Sequence, residues 1–253
     1  MDYIDEPIDN RSINQGGAKM NLKDYKITII GDSIPKGLMI DENLRINRLA
    51  TNAVSEIEKH YGINIDNKST FGQTLKRIYE RKIVDDYLEN INPNDNNVLV
   101  WSIGGNDADY NWDEVGQNPT LPHSSKTDYT AFKNYLKTLT KKLLDKNIKV
   151  LFVNFFPMHN ERYFKNIISR KANGENVLKF LNNDLSNLSR HQELFNNAII
   201  ENAVTYDCEI IDIRSHFLND IHYLDYCAND GIHPNTEGQK YISEIIKDYI
   251  STK

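Results

Sequence analysis

Short apolar runs bounded by turn-forming residues alternate along the chain with segments whose apolar residues recur every three or four positions. Ile27–Ile30 is a continuous apolar run and reads as a strand. From Glu42 to His60 the residues Leu44, Leu49, Val54 and Ile57 keep a helix-like spacing, which stops near Gly62. Ile63–Asn67 predicts a second, weaker strand, Leu75–Leu88 a helix, and Val98–Trp101 a buried strand. Tyr129–Lys146 places Phe132, Tyr135, Leu136, Leu139, Leu143 and Leu144 on one face of a strongly amphipathic helix. Lys149–Asn154 is the next strand, closed by Pro157. Helical stretches at Arg162–Lys171 and Glu175–Tyr206 precede a last strand at Glu209–Asp212. The closing helix spans Thr236–Ile250, with Thr236 as its N-cap and Glu237 in its first turn.

Strands alternating with helices at this spacing predict a parallel sheet wrapped by helices on both faces, doubly wound through right-handed crossovers. No composition shift or linker divides the chain, so residues 23–253 read as a single domain. Residues 1–22 read as a disordered leader or an added segment, with Met20 as the natural start. The opening stretch carries Asp2, Asp5, Glu6 and Asp9 and no apolar run, which is not the pattern of a signal peptide.

The formal charge of −6 disfavours a polyanionic partner, so neither nucleic acid nor an anionic membrane is expected. No apolar segment is long enough to span a bilayer, and a cytoplasmic location is expected. Cys208 and Cys227 form neither a CxxC pair nor a disulfide framework and read as small buried hydrophobes. His60, His123, His159, His191, His216 and His222 lack the spacing of metal ligands, and neither metal nor cofactor is expected.

Three polar groupings fall at predicted element ends, where open α/β sheets bind ligands. Gly31-Asp32-Ser33 ends the first strand. A tight turn there, running into a helix, would aim the Ser33 hydroxyl and offer N–H groups to a developing oxyanion; a structural cap is the competing reading. Gly31 to Gly37 does not match a phosphate-binding loop. Asp32, adjacent to Ser33, is expected to point elsewhere and to bond turn amides. Ile103-Gly104-Gly105-Asn106-Asp107 ends another strand, and the Asn106 amide could donate to an oxyanion or simply shape a turn. Asp230-Gly231-Ile232-His233-Pro234 precedes the last helix; at this spacing the carboxylate can orient one imidazole nitrogen and leave the other outward. Gly72 closes the second strand with a bare backbone N–H.

Taken together, these segments resemble the SGNH (GDSL-type) hydrolase family of esterases and acylhydrolases. Its first block resembles Gly31-Asp32-Ser33-Ile34, with Ile34 where leucine is usual. Its second-block glycine corresponds to Gly72, its third block to Gly104–Asp107 and its fifth to Asp230–Pro234, so the resemblance covers nearly the whole folded chain. The resemblance implies an α/β three-layer sandwich on a central parallel, flavodoxin-like sheet of about five strands. It also implies Ser33 as nucleophile, His233 as base and Asp230 as its orienter. The oxyanion hole would comprise the Ser33 and Gly72 amides and the Asn106 side chain.

The acidic–aromatic insertion after Asn106 leaves the catalytic strand end and is expected to line the pocket, as is the loop after the fourth strand. Asp32, Asp107, Tyr110, Trp112, Met158, His159 and Tyr163 are the substrate-contact candidates. Aromatics mixed with carboxylates and amides suit a small-molecule or carbohydrate ester with a short acyl group, acetyl among them. Two other readings stay open: a non-catalytic ligand-binding protein on the same scaffold, and an acyltransferase. The sequence does not fix the oligomeric state.

Overall fold

The computed structural model describes residues 21–253. Among the described residues seven strands occur in chain order: β1 (Tyr25–Gly31), β2 (Leu38–Ile40), β3 (Ile46–Arg48), β4 (Asp66–Asn67), β5 (Asn96–Ser102), β6 (Lys149–Val153) and β7 (Glu209–Ile211). Five form one parallel sheet of order β4-β1-β5-β6-β7, and β2 and β3 pair apart as an antiparallel hairpin. The order reverses between β1 and β5, which run in register from Tyr25↔Asn96 to Gly31↔Ser102. This is the expected flavodoxin-like arrangement. The carboxyl ends of these two strands open the crevice where such sheets bind ligands.

Strand periodicity explains the two-sided core. Neighbouring residues point to opposite faces, and here both faces are covered, so β1 and β5 are apolar almost throughout. Ile30, Leu99 and Trp101 pack with α2 (Leu75–Glu80), α3 (Ile83–Asn90), α4 (Tyr129–Leu144) and α5 (Ser186–Thr205). Ile29, Val98 and Val100 pack with Val54 and Ile57 of α1 (Ala53–Tyr61), and Ile246 of α6 (Thr236–Ser251) joins them. Trp101, Phe132, Phe152 and Phe195 are wholly enclosed. Burial of each such side chain contributes roughly 1.5–3 kcal/mol.

Four expectations change. The predicted Glu42–His60 helix is only α1, nucleated by a capping box in which Asn52 and Ser55 bond reciprocally. Its first half is instead the turn and second strand of the β2–β3 hairpin, a turn held by the Asn43 and Arg45 N–H groups donating to Asp41 Oδ1, each at 2.8 Å. Leu75–Leu88 breaks into α2 and α3 at Lys82, which adopts a left-handed conformation with φ 55°. Glu175–Tyr206 splits into Gly174–Phe180 and α5 across left-handed Asn182 and Asn183. The N-cap of α6 is Asn235 rather than Thr236, its Oδ1 accepting from the Gly238 N–H at 3.0 Å.

Of the expected leader, residues 1–20 lie outside the described residues. Asn21 caps the short 3-10 helix Leu22–Asp24, whose Leu22 is buried. Among the described residues no helix is long and apolar enough to cross a membrane.

Candidate active site

Ser33 lies directly beyond β1. A Cβ on Gly31 would fall 2.6 Å from Pro35 Cγ and 2.8 Å from the Ser102 carbonyl oxygen, so only glycine fits this exit. The expected helix beneath Ser33 is absent. The chain turns instead into β2, closed by the Gly37 N–H donating to the Ile34 carbonyl and the Leu38 N–H to the Ser33 carbonyl, both at 2.9 Å. Asp32 behaves as the sequence suggests and accepts the Ile34 N–H on Oδ1 at 3.0 Å. Burial pushes its carboxyl up to about 6, against the Ile34 hydrogen bond and the charge of His233.

Across two hundred residues of chain, Ser33 Oγ stands 2.7 Å from His233 Nε2. His233 Nδ1 is 2.8 Å from Asp230 Oδ2. An ionised carboxylate can only accept, so Nδ1 carries the proton and Nε2 presents its lone pair to the Ser33 hydroxyl. Burial drives the Asp230 carboxyl up, but hydrogen bonds from His233 and from the Ile232 and Ile40 N–H groups outweigh it and hold the pKa below the ordinary value. The loop is a closed turn: Asp230 Oδ1 also accepts the His233 N–H at 3.0 Å, and the Ala228 N–H donates to the His233 carbonyl at 2.8 Å. Gly231 at its tip has φ 79°, and a Cβ there would lie 2.5 Å from the Tyr163 nitrogen.

Asn106 occupies the short helix Gly105–Ala108 at the end of β5, after Gly104 at φ 123°. Its Nδ2 is 3.5 Å from Asp32 Oδ2, a long contact that leaves the amide able to donate elsewhere. Gly72 has φ 67° and open space where a Cβ would stand. It does not line the Ser33 cavity, but the preceding Phe71 stacks on the His233 ring at 6.4 Å between centroids.

Ser33, Asn106 and His233 share one cavity of about 80 Å³. Of the substrate-contact candidates, Asp32, Tyr110, Trp112, Met158 and Tyr163 line it, and two do not. Asp107 is fully buried and turned away, accepting the Leu75 N–H at 2.9 Å, the Lys76 N–H at 3.5 Å and the Thr127 hydroxyl. It therefore anchors the N-terminus of α2, the helix that follows Gly72. Burial pushes its carboxyl up to about 6. His159 is a helix cap, its Nδ1 accepting the Arg162 N–H at 3.1 Å and its own N–H donating to the Gly231 carbonyl at 2.7 Å.

Three further cavity-lining residues were not among the named substrate-contact candidates, although Asp109 belongs to the insertion expected to line the pocket. Asp109 Oδ1 accepts both the Trp112 indole N–H and the Tyr163 hydroxyl at 2.8 Å. Asn154 bridges Asp212 and the Arg214 N–H at 2.6 and 2.9 Å. His191, on α5, stacks on Tyr110 at 4.8 Å.

The GDSL-like Lipase/Acylhydrolase family matches residues 29–241. No curated protein matches the chain. Among solved structures, a protein designated a GDSL-like lipase from Parabacteroides merdae is similar at TM-score 0.62 and 18% identity, covering 91% of this chain and 97% of its own. An acetylxylan esterase from Geobacillus stearothermophilus gives TM-score 0.60 and 16% identity over 92% of this chain and 98% of its own. The psychrotrophic esterase EstA from a Pseudoalteromonas species gives TM-score 0.55 and 18% identity over 90% and 97%. At these identities the likeness is one of fold.

Proposed function

The chain belongs to the GDSL-like lipase/acylhydrolase family, and from that premise we propose that it is a serine esterase cleaving short-chain acyl esters of a small molecule or carbohydrate. The observation that carries the proposal is the 2.7 Å approach of Ser33 Oγ to His233 Nε2, with Asp230 Oδ2 behind Nδ1 at 2.8 Å. A structural serine needs no such chain of groups.

Ser33 Oγ attacks the ester carbonyl carbon as its proton passes to His233 Nε2, and the Asp230 carboxylate stabilises the imidazolium. The developing oxyanion accepts hydrogen bonds from the Ser33 N–H and Asn106 Nδ2, which line the cavity, and the family pattern adds the Gly72 N–H from just outside that lining; loss of one such donor typically slows turnover about 10²–10³-fold. Collapse breaks the bond to the alcohol oxygen, which takes the proton from His233 and leaves. Water then attacks the acyl-enzyme, giving its proton to His233, and the carboxylic acid departs as Ser33 regains its proton. The small cavity supports a short acyl group, and the acetylxylan esterase of similar fold is consistent with acetyl among the candidates.

The direct test is Ser33→Ala with p-nitrophenyl acetate. Turnover should vanish while the circular dichroism spectrum and melting temperature stay close to those of the parent. Retained turnover, or no labelling of Ser33 by a fluorophosphonate, overturns the assignment.

A further inference from the structure

The turn that carries Gly72 inverts the usual sorting of side chains. Thr70 to Gln73 form a tight turn, closed by the Gln73 N–H donating to the Thr70 carbonyl at 3.3 Å, with Gly72 at φ 67° in its third position. Ser69, just before the turn, and Gln73, at its end, are buried at 0% and 3% exposure, while Phe71 at the tip is 37% exposed. Of the nine phenylalanines in the chain the other eight join apolar clusters; among the described residues Phe71 joins none. Burial of a phenylalanine stabilises a fold more than burial of most side chains, so a ring held in water beside buried polar neighbours forgoes stability.

A single exposed apolar residue needs no explanation by itself. The place of this one does. The Thr70 N–H donates to the Gly31 carbonyl at 3.1 Å, so the turn is pinned to the strand end from which Ser33 projects two residues later. The Phe71 ring stacks against His233, 25° from parallel and 6.4 Å between centroids. The imidazole thus has Asp230 at Nδ1, Ser33 at Nε2 and the Phe71 ring stacked against it.

In ester cleavage the His233 proton must reach the leaving oxygen, which places the alcohol half of the substrate beside Nε2. The cavity at Ser33 is small, about 80 Å³, and walled by Tyr110, Trp112 and Tyr163, which suits the acyl half. Phe71 lies outside that lining. An alcohol half extending from Nε2 toward solvent therefore meets an aromatic ring that is held on a fixed turn and partly free. Such a ring favours a partner that can lie flat on its face or present C–H groups to it.

Resting on the esterase reading, we propose that Phe71 is a specificity-determining residue that stacks on the alcohol half of the substrate, and that the preferred alcohols carry a flat ring with an apolar face. An aromatic alcohol and a sugar ring share that chemistry.

Two pairs of acetate esters, identical in their acyl half, test this. The first sets p-chlorophenyl acetate against hexafluoroisopropyl acetate, whose alcohols are closely similar in acidity. The second sets a monoacetylated methyl glucopyranoside against monoacetylated sorbitol, a ring against an open chain. The kcat/KM ratio within each pair is compared between parent and variants, so that intrinsic ester reactivity cancels. Phe71→Leu, apolar but not flat, should lower the ratio about tenfold in at least one pair, and Phe71→Trp should keep it. A fall confined to the first pair identifies an aromatic alcohol, and one confined to the second a sugar. Ratios unmoved by Phe71→Leu in both pairs overturn the proposal, as does an equal fall in Phe71→Trp. A ring that only shields the Ser33–His233 bond from water would slow every ester alike and leave both ratios where they were. Because Phe71 is exposed, both variants should melt close to the parent. Fluorophosphonate labelling separates the two readings: a parent labelled at Ser33 with unmoved ratios loses only the role of Phe71, whereas an unlabelled parent loses the esterase reading and this proposal together.

Discussion

The backbone N–H of Ile40 donates to Asp230 Oδ2 at 2.7 Å, on the same oxygen that faces His233 Nδ1. The β2–β3 hairpin is therefore wired to the acid of the proposed triad across 190 residues of chain. It reaches the site because the turn after Ser33 runs straight into β2, so nucleophile and acid are tied through one short segment. With the bonds from His233 and the Ile232 N–H, which do more, it holds the carboxylate ionised in a place where burial alone would favour its neutral form.

Removing this donor should weaken the carboxylate's support of the imidazolium. Ile40→Pro eliminates the N–H and should lower kcat about tenfold, the scale of one hydrogen bond to a charged group. Asp230→Ala should cost about 10⁴-fold. In the Asp230→Ala background the proline should cost little, because its partner is already gone. Additive losses in the double mutant would show that proline acts through the fold alone.

The parts of this molecule that were legible in the sequence are those where local pattern and tertiary environment agree. β1 and β5 are apolar runs because both of their faces are buried, and the residues at their ends carry the family's motifs. The hairpin was hidden because Leu44 and Leu49 mimic helical spacing with Val54 and Ile57, while the deciding interactions are Asp41 in the turn and the Asn52 cap. Thr236 and Asn235 are adjacent and both are good caps, so only coordinates could choose. Asp107 stands beside Asn106 and invites a substrate role, yet its partners lie at Leu75 and Thr127, which no local pattern connects to it. His191 is likewise brought to the cavity by the packing of α5, with no motif around it.

Gly231 and Gly72 both have positive φ but should tolerate substitution very differently. A Cβ on Gly231 meets the Tyr163 nitrogen at 2.5 Å and the His159 oxygen at 2.7 Å, backbone atoms that cannot move aside cheaply. Gly231→Ala should displace the Asp230–His233 loop, abolishing activity and costing several kcal/mol, about 2–4, in denaturant unfolding. Gly72→Ala meets nothing within 4 Å and pays only the left-handed strain, ~1 kcal/mol. It should fold and keep most of its turnover, because alanine retains the backbone N–H at this position. Equal destabilisation of the two variants would contradict this contrast.

Asp107 should prove to be an anchor and not a substrate contact. Asp107→Ala leaves the Leu75 and Lys76 N–H groups and the Thr127 hydroxyl without their buried acceptor, and α2 loses the carboxylate at its positive end. The expected destabilisation is ~3 kcal/mol. Because α2 follows Gly72 and Asp107 follows Asn106, kcat should fall while KM for the ester changes little. A raised KM at unchanged kcat would return Asp107 to the substrate-binding set.

Acid should stabilise this protein before it unfolds it. Asp32 and Asp107 are both carried up to about 6 in the folded state, chiefly by burial, whereas an unfolded aspartate titrates near ~4. Between those values the native state holds protons that the unfolded chain has released, so unfolding free energy falls as pH rises through this window and stays lower above it. A shift of this size corresponds to roughly 3 kcal/mol per group at most. Asp230 has the opposite sign: its folded pKa is depressed, so its contribution is present above the unfolded value and is lost as pH falls through the folded one. The melting temperature should therefore peak near pH ~4, fall by several degrees through pH ~6 and change little from pH ~7 to ~8. Asp107→Asn keeps a polar side chain of the same shape without the titration, and should remove about half of that decline. Calorimetric scans across this range decide the matter: a melting temperature that rises from pH 5 to pH 8, or a decline identical in Asp107→Asn, would show that these buried carboxyls do not control the acid response.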